Sequence, residues 1–560
     1  MAQVNLPLGM DRFEKLCTSG GYYVDKTGFI KELLNETFEV LLITRPRRFG
    51  KTLTMSMLAE FLDIQKDSRS LFEGLEIAGE TALCEKWRNQ WPVLFLTLKD
   101  VNGASFEEAY DLLQFTISSL CGGHCYLLES EKVTESDKKI FARLLEQEGS
   151  LTDVKTALVV LTRMMMAHYG KQTILIIDEY DVPLAKASDN GYYERMLNVM
   201  RSFLGMAWEM NSALKFAVVT GCLRIVKEGI FTGANNFATH SISGKRYNRY
   251  FGFTQQEVSQ LLSKTGFFDQ LPRMKQWYDG YRFGGTEVYC PWDVINYVSE
   301  LMADASAVPG NYWRDTSHNN IIRKFIDLPD LAVNDKFETL LAGGVIHEPV
   351  VEDLTYDIAH GTESNLWSIL YLTGYLTQAM PDEDPECVED GMMALRIPNQ
   401  EVKTIFAETV AKWFRDSIVS RDRSGFFLKW WNGEASLLTR EVSDILFETI
   451  SYFDYKEDYY HAFVAGLFAG AGYEVSSNRE QGLGRADIVV KDRRNRRAIL
   501  IEAKRSKSEA AMDQDCQEAV TQIEDRQYAE GLRAKGYETI YCYGAAFFEK
   551  KCRIVFAGKQ

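Results

Sequence analysis

The sequence predicts an α/β protein with a parallel-sheet domain first, a helical middle region, and a smaller α/β domain last. Three observations lead there. Short apolar, β-branched runs alternate with helical stretches as far as about residue 253, the pattern of a sheet covered on both faces. Helical periodicity with aromatic-rich turns, such as Trp277-Tyr-Asp-Gly-Tyr281, then takes over. From near Tyr455 the order becomes helix, strand, strand, helix, strand. At 560 residues the chain is too long for one hydrophobic core, so several domains are expected.

The strands expected in the first domain are Val40–Thr44, 92–98, 173–178 and 214–220. The boundaries expected are 1–253 for the sheet domain, 254–335 for its helical extension, 336–452 for a helical connector, and 453–560 for the C-terminal domain. Within the connector, residues 365–376 read as a helix ending near a glycine, followed by a strand at 394–397. A helix with a small ribbon after it would suit a winged-helix arrangement.

A net charge of −16 argues against a protein that coats nucleic acid, which would be basic, but it leaves local basic patches available. One such patch runs from Arg493 to Arg497 and continues at Lys504, Arg505 and Lys507. No apolar run is long enough to span a bilayer, and Met-Ala-Gln-Val-Asn does not start a signal peptide. The ten cysteines are scattered rather than paired at regular spacing. The expected location is therefore cytoplasmic, with no membrane partner. Cys121-Gly-Gly-His-Cys125 lacks the second pair that a structural zinc needs and reads as a glycine turn with buried thiols.

The first chemical signal follows the first strand. Arg45-Pro-Arg-Arg-Phe-Gly-Lys-Thr52 leads straight into a helical run, the strand–loop–helix context of a Walker A phosphate-binding loop. Gly50 would let the backbone approach the phosphates, with Arg48 and Phe49 beside it. Lys51 would place its charge on the β and γ phosphates, and the Thr52 hydroxyl would ligate Mg²⁺. Arg45 stands where the first glycine of that motif usually falls. Downstream, an apolar strand ends in Asp178-Glu179, as a Walker B motif does. Asp178 would hold the metal and Glu179 would take a proton from the attacking water. Thr220, closing a further strand, is placed to sense the γ phosphate, and Arg224, one helical turn on, to reach the same group.

These motifs resemble the AAA-ATPase-like family of bacterial proteins. The resemblance rests on Tyr22-Tyr-Val-Asp-Lys-Thr27, the Arg45–Thr52 loop, Asp178-Glu-Tyr-Asp181 and Phe231-Thr-Gly-Ala-Asn-Asn236. Tyr250-Phe-Gly-Phe-Thr254, Trp277-Tyr-Asp-Gly-Tyr281 and Ile397-Pro-Asn399 extend it over most of the chain. It implies an ASCE-type P-loop domain that binds ATP, and a family loop in which an arginine at position 45 is normal.

The second signal lies near the C-terminus. Gly484-Arg-Ala-Asp-Ile-Val-Val490 carries an acid early in a strand, and Ala498-Ile-Leu-Ile-Glu-Ala-Lys504 carries an acid and a lysine two apart. Residues two apart share a strand face, so Glu502 and Lys504 project together, and a hairpin would bring Asp487 to them. Charges on an apolar strand are costly unless paired or metal-bound. Asp487, Glu502 and the Ala503 carbonyl are hard oxygen donors suited to Mg²⁺ or Mn²⁺, and Lys504 would act on the water or the phosphate. A structural Glu502–Lys504 salt bridge is the plain alternative.

This constellation resembles the PD-(D/E)XK nuclease superfamily, of the kind fused to such ATPases. Glu457-Asp-Tyr-Tyr-His461, Ser477-Asn-Arg-Glu480 and Ala519-Val-Thr-Gln-Ile523 also match, while Ala486 replaces the usual proline. The resemblance implies that Glu457 is a further metal-site carboxylate and that Gln522 packs beside the site. His461 and Arg485 join as nuclease-site candidates. The resulting expectation is an ATP-regulated, metal-dependent nuclease acting on DNA rather than RNA, serving defence against mobile DNA by analogy, with homo-oligomerisation left open. Two alternatives stand beside it: a switch-like or scaffolding NTPase whose C-terminal domain only binds nucleic acid, and an RNA-cleaving enzyme.

Overall fold

Val40–Thr44 is a five-residue run of aliphatic and β-branched side chains, every one of them buried, as a strand covered on both sides requires. It forms β1 of the computed structural model. The structure describes residues 4–209, 211–225, 229–231, 237–313, 333–354, 363–380, 383–384, 391–406, 424–449, 460, 463–465, 467–468, 473–481, 484–525, 528–549 and 551–559. The chain divides into two units: 1–325 with 345–405, and 326–344 with 406–560. Residues 345–405, expected to belong to a separate connector, thus group with the first unit.

In the first unit β1 is joined by β2 (Val93–Thr97), β3 (Thr173–Asp178), β4 (Leu214–Gly221) and β5 (Phe237–His240). All pairs are parallel, in the order β2-β3-β4-β1-β5. Four of the five strands lie where the sequence places them. One face of the sheet packs Leu41, Ile43, Ile174, Ile176 and Val218 against Met55, Leu58 and Phe61 of the Lys51–Leu62 helix. Each side chain so buried contributes about 1.5–3 kcal/mol. The order puts β4 between β1 and β3, so the ends of all three open on one crevice at the C-terminal edge, where ligands of open α/β sheets bind.

The rest of the unit is mainly helical. β6 (Tyr281–Phe283) and β7 (Thr286–Val288) form a hairpin, and β8 (Ile346–Glu348), β9 (Thr377–Gln378) and β10 (Met393–Arg396) form a small antiparallel sheet. The helix expected over 365–376 runs instead from Glu363 to Leu372. Gly374 turns the chain at φ +90°, the Tyr375 amide closes on the Leu370 carbonyl at 2.8 Å, and the next residues become β9. The ribbon expected after the helix is present, with β8 as an added third strand.

The second unit holds a mixed sheet, β11 (Glu474–Gln481), β12 (Gly484–Asp492), β13 (Arg497–Arg505), β14 (Thr539–Phe548) and β15 (Lys551–Lys559), in sequential order. β13 and β14 are parallel and every other pair is antiparallel. β11 and β15 extend the strand count that the sequence suggests. Ile499, Ile501 and Ala503 face one core cluster, while Ala498 and Leu500 face another with Ile523. Between β13 and β14 in sequence, the Met512–Asp525 helix lies on this second face and buries Met512, Cys516, Ala519 and Ile523. Gly544 of β14 makes that close approach feasible, since a Cβ there would sit 2.6 Å from the Cys516 carbonyl oxygen. No helix among the described residues is long and apolar enough to cross a membrane.

Candidate active sites

The loop after β1 is held from behind by the residue that breaks the usual glycine pattern. Arg45 is fully buried, and its guanidinium donates to the carbonyls of Thr44 and His240 at 2.8 Å and of Arg246 at 3.1 Å. It lies between the Phe251 and Phe283 rings, 5.2 and 5.5 Å from their centroids, and burial pushes its pKa down to about 9. Arg45 therefore fixes the loop to the end of β5. Arg48 and Gly50 both take positive φ, 69° and 81°, and bring the chain round into the helix at Lys51.

The motif residues meet at the ends of β1, β3 and β4. Asp178, fully buried, accepts hydrogen bonds from Thr52 at 2.8 Å, Thr97 at 3.2 Å and Thr220 at 2.8 Å. Burial and then the Glu179 charge push the Asp178 carboxyl up. Lys51 Nζ donates to the Arg45 and Pro46 carbonyls at 3.1 Å and lies 3.2 Å from Glu179 Oε1. Burial works against its charge, but Cys222, Glu179, Asp181 and Asp178 outweigh it and hold the ammonium above its ordinary range. Glu179 itself sits at φ 55°, an uncommon conformation for a glutamate and one that recurs at functional sites. Its Oε2 is buried without a hydrogen-bond partner among the described residues.

Two further residues of the Asp178–Asp181 motif have a positioning task. Asp181 accepts from the Cys222 and Leu223 amides at 2.9 and 3.0 Å, and the Tyr180 hydroxyl donates to the Leu223 carbonyl at 2.8 Å. They clamp the chain leaving β4. Arg224, expected one helical turn beyond Thr220, stands outside any helix. It forms a parallel bridge with Asp353, and its guanidinium lies 3.2 Å from the Asp353 carboxylate. Arg282 is likewise committed, to Glu383 at 2.6 Å and Glu287 at 3.1 Å.

A cleft of about 580 Å³ opens over the loop, lined among others by Met10, Tyr23, Arg48, Lys51, Lys186 and Trp292. That volume falls in the range of small-ligand sites. The Arg48 guanidinium stacks on the Trp292 ring at 4.1 Å. Trp292, Thr97 and Lys186 were not singled out in the sequence, because only the folded sheet brings them to the loop.

In the second unit the hairpin forms and the two acids meet across it. Ile488 pairs with Ile501, which sets Asp487 beside Glu502. The Ala503 amide donates to Asp487 Oδ2 at 3.0 Å, and the Asp487 amide lies 3.4 Å from Glu502 Oε2. Gln522 donates to the other Glu502 oxygen from the helix that Gly544 admits. Glu502 is 1 % exposed, and Lys504 is half-buried. Among the described residues Lys504 enters no ion pair, so the structural salt bridge to Glu502 is not formed. Glu457 and His461 lie outside the described residues, as does the side chain of Arg485, whose backbone belongs to β12 opposite Glu480.

No group of three or more His, Cys, Asp or Glu suited to a metal occurs among the described residues. The donor set that is described, two carboxylates and the Ala503 carbonyl at adjacent positions, fits a hard divalent cation. His124 of the cysteine-flanked turn faces Tyr126 and Gln65, and burial lowers its pKa to about 4, as for a core histidine.

Comparison with known proteins assigns both regions. Residues 7–231 match the family model of a predicted AAA-ATPase, and residues 455–557 match the PD-(D/E)XK nuclease superfamily. One region of the chain is thus similar to a predicted AAA-ATPase and another to the PD-(D/E)XK nuclease superfamily. An uncharacterized protein in the vnfD 5' region of Azotobacter chroococcum mcd 1 is 24% identical over 564 residues, spanning 98% of this chain and 97% of the relative. The similarity therefore runs through the whole AAA-ATPase-like and PD-(D/E)XK combination.

Proposed function

We propose that the protein binds and hydrolyses ATP and cleaves DNA in a metal-dependent reaction regulated by ATP. The observation that carries the nuclease reading is the meeting of Asp487 and Glu502 across two strands, with Lys504 on the Glu502 face of β13. A buried carboxylate braced by Gln522 and a half-buried lysine outside any ion pair among the described residues suit a phosphodiester substrate better than a structural role. Asp487, Glu502 and the Ala503 carbonyl would hold the cation, as Thr52 and Asp178 would hold Mg²⁺ with ATP. A divalent cation so bound supplies charge neutralisation at the phosphate and an activated water. Lys504 would donate to a phosphate oxygen or orient the nucleophilic water.

In the ATPase cleft Lys51 would engage the β and γ phosphates, and Glu179 would accept the proton of the water attacking the γ phosphorus. The location expected is cytoplasmic, and defence against mobile DNA is the biological role that such a pairing suits. Supercoiled and linear duplex DNA, single-stranded DNA and RNA, each incubated with Mg²⁺ or Mn²⁺, test the reading. Cutting of DNA that disappears in Glu502→Ala and Lys504→Ala supports it. Cutting of RNA alone moves the substrate class. ATP turnover with no cutting of any substrate favours a switch NTPase with a binding-only C-terminal unit.

A further inference from the structure

The ATPase cleft raises a question of charge. Hydrolysis spreads negative charge over the γ-phosphoryl oxygens and the β–γ bridging oxygen, and P-loop enzymes meet it with a cation beyond the loop lysine. Lys51 already faces Glu179 at 3.2 Å. Of the other cleft cations, Lys26 pairs with Glu257 and Lys99 with Asp11, both at 2.7 Å, Arg48 stacks on Trp292, and Arg47 is engaged in an interaction of its own. Arg224 and Arg282 are committed to carboxylates elsewhere.

Lys186 is placed differently. It belongs to the Val182–Asn190 helix, which begins directly after the Asp178–Asp181 motif. Val182 and Lys186 are four residues apart, share one helix face, and both line the cleft that Glu179 and Lys51 also line. Lys186 is half-buried and enters no ion pair among the described residues. Burial lowers its pKa, Asp189 opposes that and Arg47 adds to it.

We propose that Lys186 is a catalytic residue of ATP hydrolysis, supplying in cis the cation that stabilises the γ-phosphoryl group as it transfers. The proposal rests on the reading of this cleft as an ATPase site. The water oxygen bonds to the γ phosphorus while the bond to the β–γ bridging oxygen breaks. Glu179 takes the water proton, ADP leaves with the bonding pair, and the Lys186 ammonium donates to the oxygens that gain charge.

The test uses the full chain with Lys186→Met, which keeps length and removes charge, Lys186→Arg, and Lys51→Ala. Turnover, equilibrium affinity for a fluorescent ATP analogue, and retention of ADP with aluminium fluoride are measured with Mg²⁺ present. Expected for Lys186→Met is a fall in kcat of about 10²-fold with analogue affinity within about threefold, loss of the aluminium fluoride complex, and partial rescue by arginine. Turnover of Lys186→Met within about threefold of the unaltered protein, while Lys51→Ala is inactive, overturns the proposal alone. An equal loss of affinity and turnover also overturns it, because Lys186 would then bind ground and transition state alike. No turnover by the unaltered protein overturns the ATPase reading and the proposal with it.

Discussion

Glu179 Oε1 lies 3.2 Å from Lys51 Nζ, so the carboxylate proposed to activate water is paired with the lysine proposed to hold the phosphates. On the proposed reading, ATP phosphates would compete with Glu179 for that ammonium and, on binding, would release the carboxylate toward the water.

The pairing predicts opposite effects for two substitutions. Lys51→Ala should lose both ATP affinity and turnover. Glu179→Gln should bind ATP as tightly as the unaltered protein or more so, because the competing charge is gone, while turnover falls by about 10²-fold or more. Titration with a fluorescent ATP analogue and a phosphate-release assay separate the two. A Glu179→Gln variant with weakened affinity would contradict the competition.

A buried acid pair predicts a pH dependence. Asp293 and Glu401 are both fully buried; burial pushes Asp293 up to about 7 and, with the Asp293 charge added, Glu401 up to about 10. Raised carboxyl pKa values favour the folded state while the acids are protonated. That stability is complete below the ordinary carboxyl range near pH 4 and is lost as pH rises through the folded value, about 7 for Asp293. The melting temperature of the first unit should therefore fall as pH rises from about 4 through about 7, and on toward about 10 as Glu401 ionises. Glu401→Gln should flatten the fall, since Gln can still accept the Trp313 amide that Glu401 holds at 2.9 Å and carries no charge.

The metal-site reading predicts a separation of stability from binding. Glu502→Gln keeps the shape beside Gln522 and Asp487 but removes a buried charge. Its thermal midpoint without metal should be unchanged or higher, while Mn²⁺ binding measured by calorimetry should drop by at least about tenfold. Tight Mn²⁺ binding by Glu502→Gln would place the cation elsewhere.

Gly544 predicts a packing effect confined to the second unit. A Cβ there meets the Cys516 carbonyl oxygen at 2.6 Å and Val520 Cγ2 at 3.0 Å, which would push the Gln522 helix off the sheet. Gly544→Ala should cost about 1–3 kcal/mol in the unfolding of this unit and weaken any cleavage, with ATP binding unaffected. Denaturant unfolding followed by tryptophan fluorescence, alongside the nucleotide titration, checks both parts.

Much of this was legible in the residues, and the exceptions have physical causes. β1 and β3 run over the expected residues because strands buried on both faces must be continuously apolar. β5, Phe-Ala-Thr-His, is a short, half-buried edge strand with little apolar signal, and β11 is almost entirely polar. The acids of the C-terminal unit were visible because period two puts Glu502 and Lys504 on one face and a hairpin brings Asp487 over. The pairing of Arg224 with Asp353 was not legible because the two are remote in sequence and no local pattern announces it. Lys186 was silent for the same reason: a lysine on an amphipathic helix reads as a solvated face until the cleft beside Glu179 is seen.

The most direct test of one chain with two linked active centres is cleavage of duplex DNA in Mg²⁺, with and without ATP, by the unaltered protein, Lys51→Ala and Glu502→Ala. The account predicts cutting whose rate responds to ATP in the unaltered protein, no ATP response in Lys51→Ala, and no cutting in Glu502→Ala. Cutting that persists in Glu502→Ala, or that is indifferent to ATP in the unaltered protein, would contradict it.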